Sequence, residues 1–242
     1  ELFCVIGDFF LKFEATYWNF LKQSNRSLRI RTAHLTISEI CFIAIWYKCS
    51  HFTNFKAFFI CLKEEKKHLF KSLPCYQRMI HLINMHELAL HALHVSLMKD
   101  QDTQYLWIDS TTLPVCKNQR IQRHKSLVQI ASRGKSSMGW FYGCKLHIAM
   151  NQFGEIACSA LSNGHVADIK MVEQLVAGIK AKLYGDRGYI SQELKSRLQD
   201  QGIDLITYHR KNMQAIKLSA SDEYHLRQRN KIETLFSLLK GQ

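Results

Sequence analysis

Apolar side chains recur at helical spacing through the first hundred residues. Residues 36–39 (Thr-Ile-Ser-Glu) have the pattern of a capping box, in which a hydroxyl and a carboxylate satisfy the first free amides of a helix. Residues 40–47 then supply a broad apolar face, a second apolar cluster covers residues 52–62, and apolar positions recur at helical spacing in residues 76–97. We therefore predict that residues 1–100 form a helical domain.

Basic side chains are scattered through this helical region, at Arg26, Arg29, Arg31, Lys48 and Lys56. Short helices with scattered cations are typical of a helical nucleic-acid-binding domain. They are equally compatible with a plain helical bundle, so both interpretations stay open for this part of the chain.

The pattern changes after about residue 103 and becomes typical of strands. Residues 105–109 form a short β-rich run that ends on an acid, and the second half of residues 140–150 alternates with period two. Residues 151–154 form a turn, after which residues 155–161 pair back as the second strand of a hairpin.

Strands and helices then alternate to the end of the chain. We predict a helix over 169–179 capped by Asp168, a strand over 182–186, a helix over 192–198 closed by Gly202, a strand over 203–208 and a last helix around 232–239. This order predicts an α/β domain with a mixed sheet over residues 101–242.

The composition excludes several classes of protein. Of the 242 residues, 47% are hydrophobic and 22% are charged, which is typical of a globular chain rather than a disordered or low-complexity one. No apolar stretch approaches the roughly 20 residues that cross a bilayer, and the first residues include acids where a signal peptide is basic. The eight cysteines contain no Cys-x-x-Cys pair, which favours reduced thiols in the cytosol. We therefore expect neither secretion nor a membrane partner.

The charge is strongly positive and unevenly distributed. Lysine and arginine number 33 against 20 acids, a net charge of +13. Residues 111–150 contain no acid at all. This segment predicts a polyanionic partner, most often nucleic acid, although a solvated loop in a basic protein is the alternative. Its seven cations are Lys117, Arg120, Arg123, Lys125, Arg133, Lys135 and Lys145.

Asp109 and Asp186 occur in the same local context, because each directly follows a short apolar run that predicts a strand. In open α/β sheets the carboxyl ends of neighbouring strands lie close together, so these side chains are expected to meet. With Glu233 from the last helix they would form an oxygen-rich cage for two divalent cations about 3.5–4 Å apart, which suits phosphoryl displacement. Arg229 and Lys240 lie on a similar face of that helix and would grip phosphates. The alternative for each acid taken alone is a turn or cap residue.

Other chemistries have weaker support. The segment around His86 and His91 resembles a zinc-protease motif, but five residues of separation put the two rings about 140° apart around a helix. No Gly-x-Ser-x-Gly elbow surrounds Ser110, and the chain has no glycine-rich phosphate loop. Hydrolysis by a serine nucleophile or of a nucleotide is therefore not predicted.

Five ordered segments resemble bacterial insertion-sequence transposases of the DDE class, in particular the type named after insertion sequence 982. The segments are residues 105–116, 120–125, 133–147, 183–190 and 226–233. The resemblance implies a ribonuclease-H-like fold, with Asp109, Asp186 and Glu233 as the catalytic acids and metal ligands. It implies two Mg²⁺ ions, for which Mn²⁺ can substitute, and cleavage at the element ends followed by strand transfer into target DNA.

The resemblance also implies the partners. These are the terminal inverted repeats of the element, the target DNA and further copies of this chain in the active complex, in the bacterial cytoplasm at the nucleoid. We predict that DNA is contacted by Lys117, Arg120, Arg123, Lys125, Arg133, Lys135, Arg229 and Lys240. Trp140 and Phe141 are available for stacking on bases, although a place in the hairpin core is the favoured interpretation for both.

Two departures from the family pattern bear on activity. A tyrosine that related transposases carry three residues before the arginine is replaced by Leu226 here, with Tyr224 and His225 nearby. The sequence lacks a starting methionine and stops nine residues after Glu233, so we expect a truncated C-terminus. The alternatives are therefore a metal-dependent nuclease of the same fold and a non-catalytic, truncated DNA-binding remnant.

Overall fold

The computed structural model describes residues 1–23, 34–98, 103–125, 127–209 and 218–241. The chain divides into two compact units, Glu1–Leu97 and Met98–Gln242. Arg26, Arg29 and Arg31 lie outside the described residues, so their predicted place in the helical region is not addressed.

The described part of the first unit is helical. The capping box predicted before α2 is confirmed, because the Glu39 amide donates to Thr36 Oγ1 at 3.2 Å and the Thr36 amide donates to Glu39 Oε2 at 2.7 Å. None of the helices in the described ranges is long and apolar enough to span a membrane. The helices are α1 (Leu2–Gln23), α2 (Ile37–Cys49), α3 (Phe55–Glu65), α4 (Tyr76–Met85) and α5 (Glu87–Leu97).

The apolar repeat of residues 76–97 is divided between two helices rather than one. The break falls at His86, which is the C-terminal cap of α4. Its ring is buried, and Nδ1 lies 3.3 Å from the Tyr17 hydroxyl. His86 is therefore a hydrogen-bonded core histidine of the first unit.

The second unit is a mixed α/β structure, as predicted. Four strands come first, and helices then alternate with the last two strands. The strands are β1 (Tyr105–Cys116), β2 (Ser132–Ser136), β3 (Gly139–Asn151), β4 (Ile156–Asn163), β5 (Lys182–Gly185) and β6 (Asp204–Thr207), and the helices are α6 (Val172–Leu175), α7 (Gln192–Asp200), α8 (Ala220–Gln228) and α9 (Asn230–Lys240).

The sheet has an antiparallel side and a parallel side. Strand β3 pairs antiparallel with β1 on one edge, and on its other edge it pairs with β2 near its start and with β4 near its end. Strand β1 pairs parallel with β5, which pairs parallel with β6, and the strand order is β2-β3-β1-β5-β6. The two sides therefore meet at β1.

Strand β1 is longer than the sequence pattern predicts. It continues past Asp109 to Cys116 because its second half keeps pairing with β3, with Asp109 opposite Ile148. Its pairing with β5 ends at Trp107, opposite Tyr184. Asp109 thus lies inside β1 rather than at its end, two residues beyond the point where β1 and β5 part.

The helix predicted over 169–179 with Asp168 as its cap is wrong. Helix α6 covers only Val172–Leu175, after a 3₁₀ turn over Asp168–Met171. The Asp168 carboxylate accepts a hydrogen bond from Lys145 Nζ at 3.0 Å instead of capping a helix. Gly178, with φ of +83°, adopts a left-handed conformation that a helix does not contain.

Apolar residues cover both faces of the sheet. Leu106 and Ile108 of β1 belong to the cluster that includes α6 and α7. Trp107, between them, belongs to the opposite cluster, which includes Leu226 of α8 and Ile232 of α9. Side chains alternate between the two faces along β1, so Asp109, like Trp107, lies on the face that α8 and α9 cover.

Candidate active site

Asp109 is a half-buried carboxylate with a partner on each oxygen. Oδ1 accepts the Ser110 amide at 2.8 Å, and Oδ2 accepts Arg229 Nη1 at 2.9 Å. Burial raises the pKa of Asp109 above its usual value of 3.8, and the Ser110 hydrogen bond and the charge of Arg229 oppose that rise. The negative charge of Asp186 raises the pKa further, which identifies Asp186 as an electrostatic neighbour.

Asp186 directly follows β5 and caps the 3₁₀ turn Arg187–Tyr189. Its Oδ1 accepts the Gly188 amide at 2.7 Å, which fixes the direction of the carboxylate. A Cβ atom on Gly188 would stand 2.9 Å from the same oxygen. The glycine is therefore required for the observed position of the Asp186 side chain.

The parallel pairing of β1 and β5 explains why the two acids share one end of the sheet. Trp107 lies opposite Tyr184, and each acid comes two residues later in the chain, Asp109 within β1 and Asp186 just after β5. Because the strands run in the same direction, Asp109 and Asp186 emerge on the same side of the sheet end.

Glu233 lies near this end but is not joined to it directly. Its Oε1 is 3.9 Å from Arg229 Nη2, and its side chain is 62% exposed. Arg229 thus stands between Asp109 and Glu233. Lys240 is exposed at the last position of α9, about 10 Å further along the helix axis at 1.5 Å per residue.

Two anchors hold α8 on the sheet and so place Arg229. The Trp107 indole N–H donates to the His225 carbonyl at 2.7 Å. Asp222 Oδ1 accepts from the Tyr184 hydroxyl at 2.9 Å and from Lys182 Nζ at 3.0 Å. Burial alone would raise the pKa of Asp222, but these hydrogen bonds and that of Ser219 outweigh it and hold the pKa below the usual range.

Leu226, where the sequence resemblance led us to expect a tyrosine, is a core residue. Its side chain is buried in the cluster between α8, α9 and the sheet. Tyr224, two residues earlier, is 58% exposed. The apolar residue at 226 therefore contributes packing at a position where a phenol would bring a hydroxyl.

The chemistry of the acids suits a hard divalent cation, but their arrangement is incomplete for one. Carboxylate oxygens are the ligands that Mg²⁺ prefers. Over the described residues, however, no three His, Cys, Asp or Glu side chains are grouped so that they could hold a metal ion. Asp109 and Asp186 each come two residues after the last parallel pair of β1 and β5, whereas Glu233 is separated from Asp109 by the Arg229 guanidinium. The three carboxylates are therefore suitable ligands for Mg²⁺, but the Arg229 guanidinium lies between Asp109 and Glu233, where a shared cation would bind.

A cleft of about 500 Å³ opens beside Asp186. Three arginines contribute to its wall, so it suits a phosphate group. Of the residues that line the cleft, only Asp186 and Arg229 were predicted as site residues from the sequence. Arg187 could have been predicted as well, because it directly follows Asp186. The cleft is lined by Asp186, Arg187, Tyr208, Leu226, Arg227, Arg229 and Asn230.

Tyr189 is a further polar group that sequence reasoning missed. Its side chain is 2% exposed, and its hydroxyl has no hydrogen-bond partner among the described residues. Burial raises the pKa of Tyr189, and the charges of Asp109, Asp168 and Asp186 raise it further. Tyr189 packs with Leu106 and Ile108 in the cluster that includes α6 and α7.

The cations of residues 111–150 are used in two ways. Lys145 is only 12% exposed, and its Nζ donates to Asp168 and to the Val166 carbonyl, so it is a structural residue. The other six cations are exposed: Lys117, Arg120, Arg123, Lys125, Arg133 and Lys135.

Two adjacent aromatic residues of this segment differ in exposure. Trp140 is 65% exposed, contrary to the expected core position, whereas Phe141 is buried as expected.

Comparison with known proteins gives the class. Residues 99–242 match the family described as Transposase DDE domain. This match covers more than half of the chain, and the chain therefore belongs to that family. No curated protein matches the chain.

Solved structures similar to the chain include a transposase complex with DNA. It is titled "Cryo-EM structure of piggyBac transposase synaptic complex with hairpin DNA (SNHP)", with a TM-score of 0.43 and 13% identity. The similarity covers 81% of this chain and 48% of that one, so this chain spans about half the length of the solved one.

Proposed function

We propose that this protein is a DNA transposase that cleaves the ends of an insertion sequence and joins them to target DNA. The observation that carries the proposal is the placement of Asp109 and Asp186 two residues beyond the last parallel pair of β1 and β5, with Arg229 hydrogen-bonded to Asp109 and 3.9 Å from Glu233. This arrangement lies inside the segment that belongs to the Transposase DDE domain family.

The finer assignments follow the sequence resemblance. We propose a ribonuclease-H-like catalytic domain, since the sheet joins four antiparallel strands, β1 to β4, to two parallel ones, β5 and β6, with the acids near the junction. We further propose the type named after insertion sequence 982, action on chromosomal DNA in the bacterial cytoplasm, and an active complex of several copies.

The chain's own residues divide the work. Asp109, Asp186 and Glu233 would hold two Mg²⁺ ions, which when bound would activate the attacking oxygen and stabilise the leaving one. The arginines of the cleft, Arg187 and Arg227, would hold the phosphates that flank the cut by charge-assisted hydrogen bonds. The exposed cations of β2 would hold the duplex further away through its backbone.

The test is Mg²⁺-dependent cleavage of a duplex that carries the DNA flanking the coding frame. We expect Asp186→Ala to abolish cleavage and to leave DNA affinity similar or higher, because a negative charge facing phosphate is removed. Asp200→Asn, an exposed acid at the end of α7, is the matched control and should cleave normally. Undiminished cleavage by Asp186→Ala would overturn the assignment.

The same assay separates the alternatives. A nuclease of the same fold would cut the flanking DNA without joining the freed 3′-hydroxyl to a second duplex. A DNA-binding remnant would give identical results for the unchanged chain and for Asp109→Ala in every assay. The proposal requires both cleavage and joining to depend on Asp109.

A further inference from the structure

The guanidinium of Arg229 contacts two carboxylates at once. Its Nη1 lies 2.9 Å from Asp109 Oδ2, and its Nη2 lies 3.9 Å from Glu233 Oε1. One of these acids is 120 residues away along the chain, and the other is one helical turn away on α9. A positive charge is thus present between the two acids that the proposed function assigns to a cation.

The two contacts differ in strength. Arg229 and Asp109 are 20% and 21% exposed, so their pair is partly shielded from water and has good hydrogen-bond geometry. Glu233 is 62% exposed and more distant, so its contact is a screened one. Arg229 is therefore held mainly by Asp109, and Glu233 is turned toward it from solvent.

The backbone keeps Arg229 in this place. The residue lies between the end of α8 at Gln228 and the start of α9 at Asn230. Helix α8 is fixed to the sheet through the Trp107–His225 and Tyr184–Asp222 hydrogen bonds. The side chain, by contrast, also lines the cleft beside Asp186, so it has a second direction in which an anion would attract it.

We propose that Arg229 occupies the cation position in the DNA-free protein, and that Asp109 and Glu233 hold a divalent cation together only after the guanidinium has turned away. The proposal rests on the proposed function for the identity of the metal ligands. A DNA phosphate in the cleft is the anion that would draw Arg229 off Asp109. Cation binding and DNA binding are then coupled, and each strengthens the other by the same factor.

The test is Mn²⁺ binding to the full chain without DNA, measured by titration calorimetry and by the loss of the free Mn²⁺ resonance signal. We expect Arg229→Gln to bind Mn²⁺ about 10-fold more tightly than the unchanged chain, a typical size for coupling between sites. Adding Asp109→Asn to Arg229→Gln should remove the gain, because the ion then lacks its ligand.

Arg227→Gln is the matched control. It removes the same charge from the same cleft, but Arg227 is 75% exposed and pairs with Glu223 at 3.8 Å rather than with Asp109. A general effect of net charge would tighten Mn²⁺ binding equally in both variants, and that result would overturn the proposal. Weaker binding by Arg229→Gln would overturn it as well, since Arg229 would then support the metal site.

Arg229→Lys covers the case in which the glutamine variant does not fold. An ammonium group offers no fork with which to contact both carboxylates, so Mn²⁺ affinity should rise by less than in Arg229→Gln. An affinity equal to that of the unchanged chain would count against the proposal. If the Arg229 variants bind Mn²⁺ no more tightly but cleavage still depends on Asp186, this proposal is wrong and the transposase function stands. If Arg229→Gln binds Mn²⁺ more tightly but the unchanged chain cleaves no DNA, this proposal is supported and the transposase function is wrong.

Discussion

The antiparallel and parallel sides of the sheet place their polar side chains differently. On the antiparallel side, buried polar groups pair across neighbouring strands or the adjoining loop, as in His147 with Ser162 and Lys145 with Asp168. On the parallel side, they pair with helices far along the chain, as in Asp109 with Arg229 and Trp107 with His225. The polar pairs of the antiparallel side thus join residues 15 and 23 apart, whereas those of the parallel side join residues 38 to 120 apart.

This difference indicates that the polar pairs of the antiparallel side stabilise the fold, whereas those of the parallel side position the candidate site. A hairpin brings its own side chains together as soon as it forms, so its polar pairs serve the fold. Asp109 and Asp186 accept hydrogen bonds from nearby backbone amides, but the side-chain partner of Asp109 is Arg229, which comes from the α8–α9 junction. A site assembled by distant elements is the more sensitive to how those elements pack.

Loss of packing under α9 should give the largest effect. Ile232 is fully buried between α9 and the sheet, and Ile232→Ala is expected to lower the free energy of unfolding by about 2–5 kcal/mol. Because Ile232 lies between Arg229 and Glu233, cleavage per folded molecule should fall too. Urea unfolding and single-turnover cleavage at saturating DNA measure the two quantities.

Phe141→Ala is the control on the antiparallel side. Phe141 is buried against Gly134 and Gly164, and its loss should cost about 3–5 kcal/mol. Cleavage per folded molecule at saturating DNA should be unchanged, because Phe141 packs on Gly134 and Gly164 rather than on the elements that carry the acids. Equal losses of cleavage in both variants would remove the distinction between the two sides.

The same contrast explains what the sequence could predict. The hairpin of β3 and β4, the capping box at Thr36 and the α/β order follow from local periodicity and turn residues, and the structure confirms them. The candidacy of Asp109 and Asp186 also came from local pattern, because each follows an apolar run.

Long-range contacts account for what local pattern did not predict. The extension of β1 past Asp109 depends on pairing with β3, and the loss of the predicted helix at Asp168 depends on Lys145. The Arg229 contact with Asp109 joins residues 120 apart, and no local pattern encodes that distance. Exposure of Trp140 follows from which face of β3 is covered, which period two leaves undetermined.

A smaller change on the parallel side tests the position of the Asp186 carboxylate without a large change in the free energy of unfolding. Gly188→Ala places a Cβ atom 2.9 Å from Asp186 Oδ1, and the end of a flexible side chain is what must move. We expect cleavage to fall about 100-fold, as for a misplaced reacting group. The free energy of unfolding should change by less than about 0.5 kcal/mol. Normal cleavage by a folded Gly188→Ala protein would show that this carboxylate position is not critical.

The exposed cations of the antiparallel side should affect DNA binding and not chemistry. Replacing Arg133 and Lys135 together with glutamine should weaken binding to all duplexes alike, and the slope of log affinity against log salt should become shallower by roughly 2. Lys170 and Lys180, also exposed, provide the control with the same loss of charge. An equal change of slope in the control pair would assign the effect to net charge rather than to β2.

The smallest effect concerns the buried His147–Ser162 pair, whose Nε2 and Oγ atoms lie 2.7 Å apart. Burial lowers the pKa of His147 below its usual 6.5, the charge of Asp168 opposes this and that of Lys145 adds to it. The unfolded chain therefore binds a proton more readily than the folded one, so stability is present above pH 6.5 and is lost as the pH falls below it. His147→Gln, which does not titrate, should lose less stability between pH 7.5 and 5.5, by about 1 kcal/mol in urea unfolding. Cleavage at pH 7.5 should be the same in both, and a loss of cleavage in His147→Gln would show that the antiparallel side also serves the chemistry.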